Sequence, residues 1–463
     1  MTFLFVFMPL VMAVYFLSKK EIRNYVLLIA SIIFYAWGEP RYLAIMIITI
    51  LVNYAGAILL DKHYSSRQRL WIVSLTIVLD LSFLFYFKYF NFVVDNINGV
   101  LATDFQLLDI IMPIGISFYT FQAMSYLIDV YRREVPAQKD VYKLALYIVL
   151  FPQLVAGPIV KYHDVCEQID NRTIEFKNVI IGFKRFITGL AKKVLIANTL
   201  AEVVDKIFAQ APENLTTGVS WLGAVAYCLQ LYYDFSGYSD MAIGLGLMFG
   251  FRFLENFNYP YISKLITEFW RRWHISLATW FKLYVYIPLG GNRKGAVRTY
   301  WNLFAVFLVT GIWHGAAWSY VAWGIWNGIF IVIERFFGLD KDKNDRWYVS
   351  AAKHVYAFFA IVWGMIIFRA ESLSYAYEYI CRMLHIDVTK HLPDYDYGVN
   401  NKFAIMLIVG LICAMPVCRN LIYIKYEHKV QRTLVNIWLF LLFFWSTISL
   451  AASTYNPFIY FRF

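Results

Sequence analysis

Two of the chain's eight histidines, His274 and His314, directly follow a tryptophan in stretches that are otherwise apolar, aromatic or cationic. The remaining six fall in polar connections or at a helix edge: His63, His163, His354, His385, His391 and His428. No GxSxG or HExxH motif occurs, and no cysteine lies near either histidine. A base without an enzyme nucleophile suits direct transfer, in which imidazole deprotonates a hydroxyl that attacks an activated acyl group.

The composition predicts that an all-α, polytopic membrane protein positions these histidines. Of the 463 residues, 60% are hydrophobic and 16% are charged, whereas about a quarter is charged in soluble proteins. Apolar runs long enough to cross a bilayer recur along the chain. The net charge of +11 indicates basic cytoplasmic loops rather than a nucleic-acid partner. The five cysteines show no metal-ligand spacing, so no metal site is predicted.

The loops between predicted spans alternate in charge. The first, third and fifth loops are rich in Lys and Arg, whereas residues 91–109 carry acids and no cation. The positive-inside rule therefore places the odd loops in the cytoplasm and the N-terminus, on a retained first helix, outside. The predicted spans are 2–17, 24–37, 42–60, 70–90, 110–128, 142–158, 300–318, 319–335, 354–369, 403–418 and 434–452.

The middle of the chain predicts less regular elements, within a total of about 11–13 transmembrane helices. Residues 176–200 form an amphipathic pattern that favours an interfacial helix. Residues 221–251 are apolar but interrupted by Asp234–Asp240, which predicts a broken helix. Residues 259–295 carry too many charges to span, so we expect a re-entrant or cytoplasm-facing segment. We predict a single membrane domain over 1–463, with its core at 110–335.

His314 is the stronger catalytic candidate on physical grounds. It lies about fourteen residues into the predicted span 300–318, roughly 20 Å deep at 1.5 Å per residue. An ionisable group at that depth is costly unless it lines a cavity or has a partner. Desolvation favours the neutral imidazole, and the small residues Gly315–Ala317 leave room for a substrate. The structural alternative is a buried histidine that is hydrogen-bonded to a neighbouring helix.

The other polar residues of the predicted membrane region carry weaker signals. For His274, the structural alternative is an interfacial cationic cluster with Arg271 and Arg272. The turn Pro288–Lys294 offers Asn292, Arg293, Lys294 and backbone N–H groups to a phosphate-bearing ligand, or is a plain cytoplasmic loop. For three acids at membrane depth, the structural alternative is helix-to-helix hydrogen bonding: Asp80, Asp234 and Asp240.

Several motifs together resemble the membrane-bound O-acyltransferase (MBOAT) family, and within it the branch of the alginate O-acetyltransferase membrane subunit. They span most of the chain: Phe118–Gln122, Pro152–Ile159, Asp234–Ala242, Phe269–Leu277, Trp280–Phe281, Tyr286–Arg293 and Gly311–Trp318. One departure is Lys282–Leu283, where the family usually has an Arg-Asp pair, so a salt bridge is not expected there.

The resemblance implies a site and a reaction. It implies His314 as the catalytic histidine and His274 as the second signature histidine, which shapes the site. It also implies a cytoplasmic thioester donor, acetyl-CoA, and no permanently bound cofactor. The expected product is an O-acetylated cell-envelope or secreted polysaccharide, completed by an extracytoplasmic acetyltransferase partner. The expected location is the bacterial cytoplasmic membrane, with Asn292, Arg293 and Lys294 at the donor's entrance.

The C-terminal tail 455–463 is predicted to emerge outside. Phe458–Phe463 resembles a motif that carries the acyl group as a transient ester on its tyrosine, here Tyr460. A phenol of pKa near 10 is a better leaving group than a sugar hydroxyl, so an aryl ester stays activated. The alternative is an interfacial aromatic anchor.

Two other functions remain open on the sequence. A transporter or flippase for an envelope precursor would use broken helices as a substrate path, together with inverted repeats. No internal repeat is evident in the sequence. Within the enzyme class, the acceptor could be a lipid or a protein rather than a polymer.

Overall fold

The computed structural model describes residues 1–62, 65–155, 157–340, 346–384, 395–418 and 429–453, and every regular element within these ranges is helical. The predicted all-α class is therefore confirmed. The α-helices are α1 Met8–Leu17, α2 Arg23–Gly38, α3 Leu43–Lys62, α4 Ser66–Leu84, α5 Phe90–Leu101, α6 Ile116–Arg132, α7 Val141–Val149, α8 Phe151–Leu154, α9 Tyr162–Asn171, α10 Phe176–Ala191, α11 Asn198–Phe208, α12 Thr217–Met248, α13 Ile266–Arg272, α14 Ile275–Phe281, α15 Ala296–His314, α16 Trp318–Phe336, α17 Trp347–Arg369, α18 Leu373–Met383, α19 Asn401–Cys413 and α20 Lys429–Ala452.

Wider π-helical turns begin or join some of these helices, at Phe3–Phe7, Phe85–Tyr89, Lys192–Ala197 and Lys282–Tyr286. By length and composition, four helical segments of the described chain can cross a membrane: Pro40–Lys62, Ser66–Leu101, Trp347–Arg369 and Val430–Ala452. Phe3–Leu17 and Asn401–Cys413 are shorter apolar helices. The protein is thus a multi-pass membrane protein, and the total of 11–13 spans stays a prediction.

One compact unit comprises residues 1–183 and 242–254. In it α3, α4 and α6 pack against one another. Asp80 of α4 is buried, and Asn53 Nδ2 of α3 lies 2.9 and 3.0 Å from its two carboxylate oxygens. The helix-to-helix interpretation of Asp80 is therefore confirmed.

The predicted span 142–158 is wrong as a single helix. Residues 141–149 form α7, about 13 Å long at 1.5 Å per residue, and the four-residue α8 follows after a break at Leu150. Pro152 lacks an N–H group, so it cannot donate to the carbonyl four residues earlier and continue α7.

The other compact unit comprises residues 184–241 and 255–463 and holds both candidate histidines. Its α15 and α16 form a close hairpin. A Cβ on Gly311 would lie 2.4 Å from the carbonyl oxygen of Tyr320, and one on Gly324 would lie 2.6 Å from that of Phe307. The two glycines therefore allow the helix backbones to approach as small residues do in membrane helix pairs.

The predicted break at Asp234–Asp240 is wrong, because α12 is continuous over 32 residues. Both carboxylates are paired with cations of the preceding helical segment. Lys193 Nζ lies 2.6 Å from Asp234, and Asp240 pairs with Lys192 at 2.6 Å and with Arg185 at 2.8 Å. These ion pairs satisfy the acids without unwinding the helix, and they confirm that both acids link neighbouring helices.

Candidate active site

His314 is the last residue of α15, not a residue inside a span that continues to position 318 as predicted. Gly315 leaves the helix with φ −172° and ψ 161°, and α16 begins at Trp318. The imidazole is therefore carried by the last of the 19 residues of α15, about 27 Å of helix from its first residue at 1.5 Å per residue.

The small residues after His314 do not leave the space that the sequence predicted. A Cβ on Gly315 would lie 2.1 Å from the ring of Tyr320, so this ring fills the space beside Gly315. Tyr320 in turn contacts Phe368 of α17, with ring centroids 5.1 Å apart. Gly315 thus allows close packing of an aromatic side chain rather than the approach of a substrate.

Aromatic edges hold the His314 ring, which is 7% exposed. Trp323 and Phe368 meet it nearly perpendicularly, at centroid distances of 5.0 and 5.1 Å. His314 lines a cavity of about 20 Å³ with these two rings and with Trp270. That volume accommodates about one water molecule, so the ring is enclosed closely but is not sealed in solid packing.

His274 lies in the turn between α13 and α14 and has a left-handed backbone conformation, with φ 45°. Two main-chain hydrogen bonds hold this turn to the preceding segment: Asn258 N–H donates to Arg272 O, and Ile275 N–H donates to Asn256 O, both at 2.9 Å. A non-glycine residue with positive φ is uncommon and requires such support.

The interpretation of His274 as part of a surface cationic cluster is wrong, because its side chain is only 1% exposed. Arg271 is exposed, while Arg272 pairs with Glu268 at 2.8 Å. His274 Nδ1 instead faces Asn256 Oδ1 at 3.1 Å. None of the four candidate membrane-spanning segments of the described chain contains His274. Burial lowers its pKa to about 3, so the imidazole is neutral near pH 7.

A second, larger cavity of about 390 Å³ borders His274. Its lining includes three cations and one acid: Arg271, Lys282, Arg335 and Asp340. Arg335 pairs with Asp340 at 3.1 Å. Of the three residues predicted at a donor entrance, Asn292 lines this cavity, whereas Arg293 and Lys294 are exposed on the adjacent turn and do not line it.

Three aromatic side chains connect the surroundings of the two histidines. Trp313 lies 6.5 Å from the His274 ring and 4.9 Å from the His314 ring, measured between centroids. Phe235 contacts His274 at 4.6 Å and also lines the His314 cavity. Trp270 lines both cavities. The structure therefore brings together the two histidines that the sequence selected.

Two buried polar residues of α16 hold α13, which carries Trp270. Glu334 is fully buried, and its carboxylate accepts hydrogen bonds from the backbone N–H groups of Ile266 and Thr267 at 2.6 and 2.8 Å. Its negative charge also complements the positive end of the helix. Asn327 Oδ1 accepts a hydrogen bond from Trp270 Nε1–H at 3.0 Å.

Asn256 and Glu334 were not among the functional residues predicted from the sequence. An acid inside the predicted span 319–335 was a usable signal for Glu334, because buried membrane acids need partners. Nothing in the polar run around Asn256 indicates that it reaches His274. Tyr460 and the rest of the tail 455–463 lie outside the described residues. No cluster of His, Cys, Asp or Glu with metal-binding geometry occurs among the residues that the structure describes.

Comparison with known families gives a match over residues 32–373 to the membrane-bound O-acyltransferase family, MBOAT. The probable alginate O-acetylase AlgI of Pseudomonas putida is 42% identical, with 100% of this chain and 99% of that protein covered. The peptidoglycan O-acetyltransferase of Helicobacter pylori is 32% identical over 92% of this chain and 88% of that protein. The teichoic acid D-alanyltransferase of Bacillus subtilis is 29% identical over 57% of this chain and 70% of that protein.

Proposed function

The chain belongs to the membrane-bound O-acyltransferase family, and from that premise we propose that it transfers acetyl groups from cytoplasmic acetyl-CoA for O-acetylation of an extracytoplasmic polysaccharide. It is a multi-pass membrane O-acyltransferase that acts on envelope polymers. The bacterial cytoplasmic membrane is the proposed location, because the donor is cytoplasmic and the polymer is not.

The observation that carries the proposal is the pair of buried imidazoles on either side of Trp313, each at a cavity. His314 accepts the proton of an attacking hydroxyl, whose oxygen bonds to the thioester carbonyl carbon. The carbon–sulfur bond then breaks, and the imidazolium returns the proton to the thiolate. The products are an ester and a thiol, and the neutral imidazole is regenerated.

The larger cavity supports a phosphate-bearing thioester as the donor. Arg271, Lys282 and Arg335 line it, and guanidinium and ammonium groups bind phosphate through charge-assisted hydrogen bonds. Lys282 stands where the family usually has an arginine followed by an aspartate, so this position keeps its cation while the neighbouring residue is Leu283. We place Arg293 and Lys294 outside the cavity, where they attract the donor rather than enclose it.

The acceptor side involves the tail and a partner. We propose that Tyr460 accepts the acetyl group as a phenol ester and passes it to a polysaccharide hydroxyl, with an extracytoplasmic acetyltransferase completing the second transfer. An aryl ester is activated enough for this relay. Acyl transfer is preferred over transport because the family and the relatives are O-acyltransferases, and the continuous α12 lacks the break predicted at Asp234–Asp240.

Purified protein in nanodiscs with acetyl-labelled acetyl-CoA tests this function. We expect CoA release and label on the wild-type protein, loss of both in His314→Gln, and loss of retained label in Tyr460→Phe. The matched control is His354→Gln, an exposed histidine on α17, which should behave as wild type. Wild-type protein that releases no CoA would contradict acyl transfer, and full labelling of Tyr460→Phe would contradict the tyrosine relay alone.

A further inference from the structure

Asn256 makes a set of hydrogen bonds that determines which nitrogen of His274 carries the proton. Its side chain is 1% exposed. Oδ1 accepts hydrogen bonds from Ser276 N–H at 3.1 Å and from Ser276 Oγ–H at 2.9 Å. Nδ2 donates to Ser239 Oγ at 3.0 Å. Because a backbone N–H can only donate, the atom that faces Ser276 must be the oxygen, so the orientation of the amide is fixed.

The same oxygen lies 3.1 Å from His274 Nδ1. An amide oxygen has no proton to give, so Nδ1 must donate, and in a neutral imidazole the other nitrogen is then the acceptor. Burial keeps the ring neutral, as described above. We propose that Asn256 is a positioning residue that holds His274 as the Nδ1–H tautomer, in which Nε2 carries no proton.

This tautomer gives the two histidines distinct tasks. A neutral His274 with an unprotonated Nε2 cannot donate through that nitrogen to a carbonyl oxygen, so it does not stabilise the developing oxyanion. His274 instead shapes the wall of the larger cavity, which it borders. Only this role in the reaction rests on the proposed function, because the tautomer itself follows from hydrogen bonds within the protein.

The backbone adds a second reason for the position of Asn256. Its carbonyl accepts the Ile275 N–H, and the neighbouring Asn258 N–H donates to Arg272 O. Asn256 therefore fixes both the left-handed backbone of His274 and the direction of its ring. Ser239 of α12 completes the arrangement by accepting from the Asn256 amide.

The charged groups nearby do not compete for this role. The cavity that His274 borders contains Arg271, Lys282, Arg335 and Asp340. On the neighbouring segments, the acids are already paired: Glu255 with Arg185, Glu268 with Arg272, Asp234 with Lys193, and Asp240 with Arg185 and Lys192. Two neutral oxygens face Nδ1: Asn256 Oδ1 at 3.1 Å, and at 3.5 Å Ser276 Oγ, whose own proton is donated to Asn256.

Nitrogen NMR of histidine-labelled protein in nanodiscs tests the tautomer without any turnover. The His274 signals are identified by their loss in His274→Gln. In wild type we expect a protonated Nδ1 and an unprotonated Nε2 at about pH 6 to 8, a range that includes physiological pH. A protonated Nε2 with an unprotonated Nδ1 would overturn the assignment, whatever the activity of the protein.

The variant Asn256→Asp keeps the shape and the acceptor but adds a negative charge beside Nδ1–H. A neighbouring carboxylate stabilises imidazolium and raises a histidine pKa by about 1–3 units. We therefore expect NMR titration to give a higher His274 pKa in Asn256→Asp than in wild type, by a similar amount. The control Asn258→Asp adds the same charge two residues away, at an exposed position, and should leave the His274 pKa unchanged.

Asn256→Leu removes the acceptor altogether. We expect kcat to fall ~10–100-fold, the size seen when a group that orients a metal-bound imidazole is removed, with a smaller change in KM for acetyl-CoA and with Nε2–H appearing in the NMR spectrum. Equal His274 pKa values in Asn256→Asp and Asn258→Asp would show that Asn256 is only structural. If wild-type protein transfers no acetyl group, the proposed function fails while the NMR result still decides the tautomer.

Discussion

The surroundings of His274 and of His314 differ in what holds each ring and in how much space adjoins it. A hydrogen bond that His274 Nδ1–H donates to Asn256 Oδ1, together with a clamped backbone, holds His274 beside a cavity of about 390 Å³ lined by cations. Perpendicular aromatic rings hold His314 beside a cavity of about 20 Å³. We therefore expect polar substitutions beside His274 to change its protonation and its role in binding. Substitutions that change side-chain size beside His314 should instead change which acyl groups fit there.

Removal of each imidazole separates the two roles and has the largest expected effect. A general base contributes ~10²–10⁴-fold to a rate, so His314→Gln should lower single-turnover acetyl transfer within that range. His274→Gln should cost less, ~10–100-fold, because it removes an orienting group. Rapid-quench measurement of CoA release compares them. A larger loss in His274→Gln would reverse our assignment of the base.

Removal of the Glu334 carboxylate should loosen the His274 side of the site by destabilising α13. Glu334→Ala leaves two backbone N–H groups without their acceptor, and we expect a loss of about 2–6 kcal/mol in the free energy of unfolding, from about 1–3 kcal/mol for each unsatisfied donor. Glu334→Gln should lose less. Thermal unfolding in detergent measures both, with the exposed Glu378→Ala as control. Equal melting of all three variants would contradict this role.

Enlargement of the His314 cavity should relax acyl-chain selectivity. Phe368→Leu replaces one of the rings that encloses the imidazole, and one methylene is worth ~10–200-fold in the selectivity of an apolar pocket. We expect the ratio of propionyl to acetyl transfer to rise about tenfold, at the low end of that range. Phe358→Leu, at an exposed position on the same helix, is the control, and equal ratios in the two variants would argue against a size limit at His314.

Neutralisation of the cavity cations should give the smallest effect. Arg271→Gln or Lys282→Gln removes one charge from the larger cavity, and a partly exposed ion pair is worth up to about 1 kcal/mol, so KM for acetyl-CoA should rise about fivefold. Arg293→Gln and Lys294→Gln lie outside the cavity and should change KM less than about twofold. Steady-state kinetics at low ionic strength distinguishes the two pairs, and a greater effect at Arg293 would move the donor's entrance to the turn.

The sequence was sufficient for the fold class, and the two histidines that it singled out each line a cavity in the structure; their roles stay a prediction. Apolar run lengths and the scarcity of charge predict an all-α membrane protein, because the bilayer imposes both. His274 and His314 stood out because burial of an ionisable imidazole in an apolar stretch costs free energy unless the ring lines a cavity or has a partner. By the same reasoning, helix-to-helix bonding was correctly offered as the alternative for three acids, Asp80, Asp234 and Asp240.

Contacts between distant positions were not predictable. Asn256 contacts His274, 18 positions further along the sequence, and Glu334 contacts Ile266, 68 positions earlier. Helical periodicity predicts no contacts over such separations in sequence. Helix α12 is continuous although residues 234–240 include Ser, Gly and Asp, which locally disfavour a helix. The helix persists because cations of another helical segment pair with its acids. The space beside Gly315 was misjudged because Tyr320 occupies it.

Sealed inverted membrane vesicles from a bacterium that makes the protein test most directly whether His314 serves a transfer across the bilayer. Acetyl-labelled acetyl-CoA, which does not cross the membrane, is added outside, at the cytoplasmic face. We predict alkali-labile label that accumulates inside wild-type vesicles and is absent with His314→Gln. Equal accumulation with His314→Gln, or in sealed vesicles of the opposite orientation, would contradict the account.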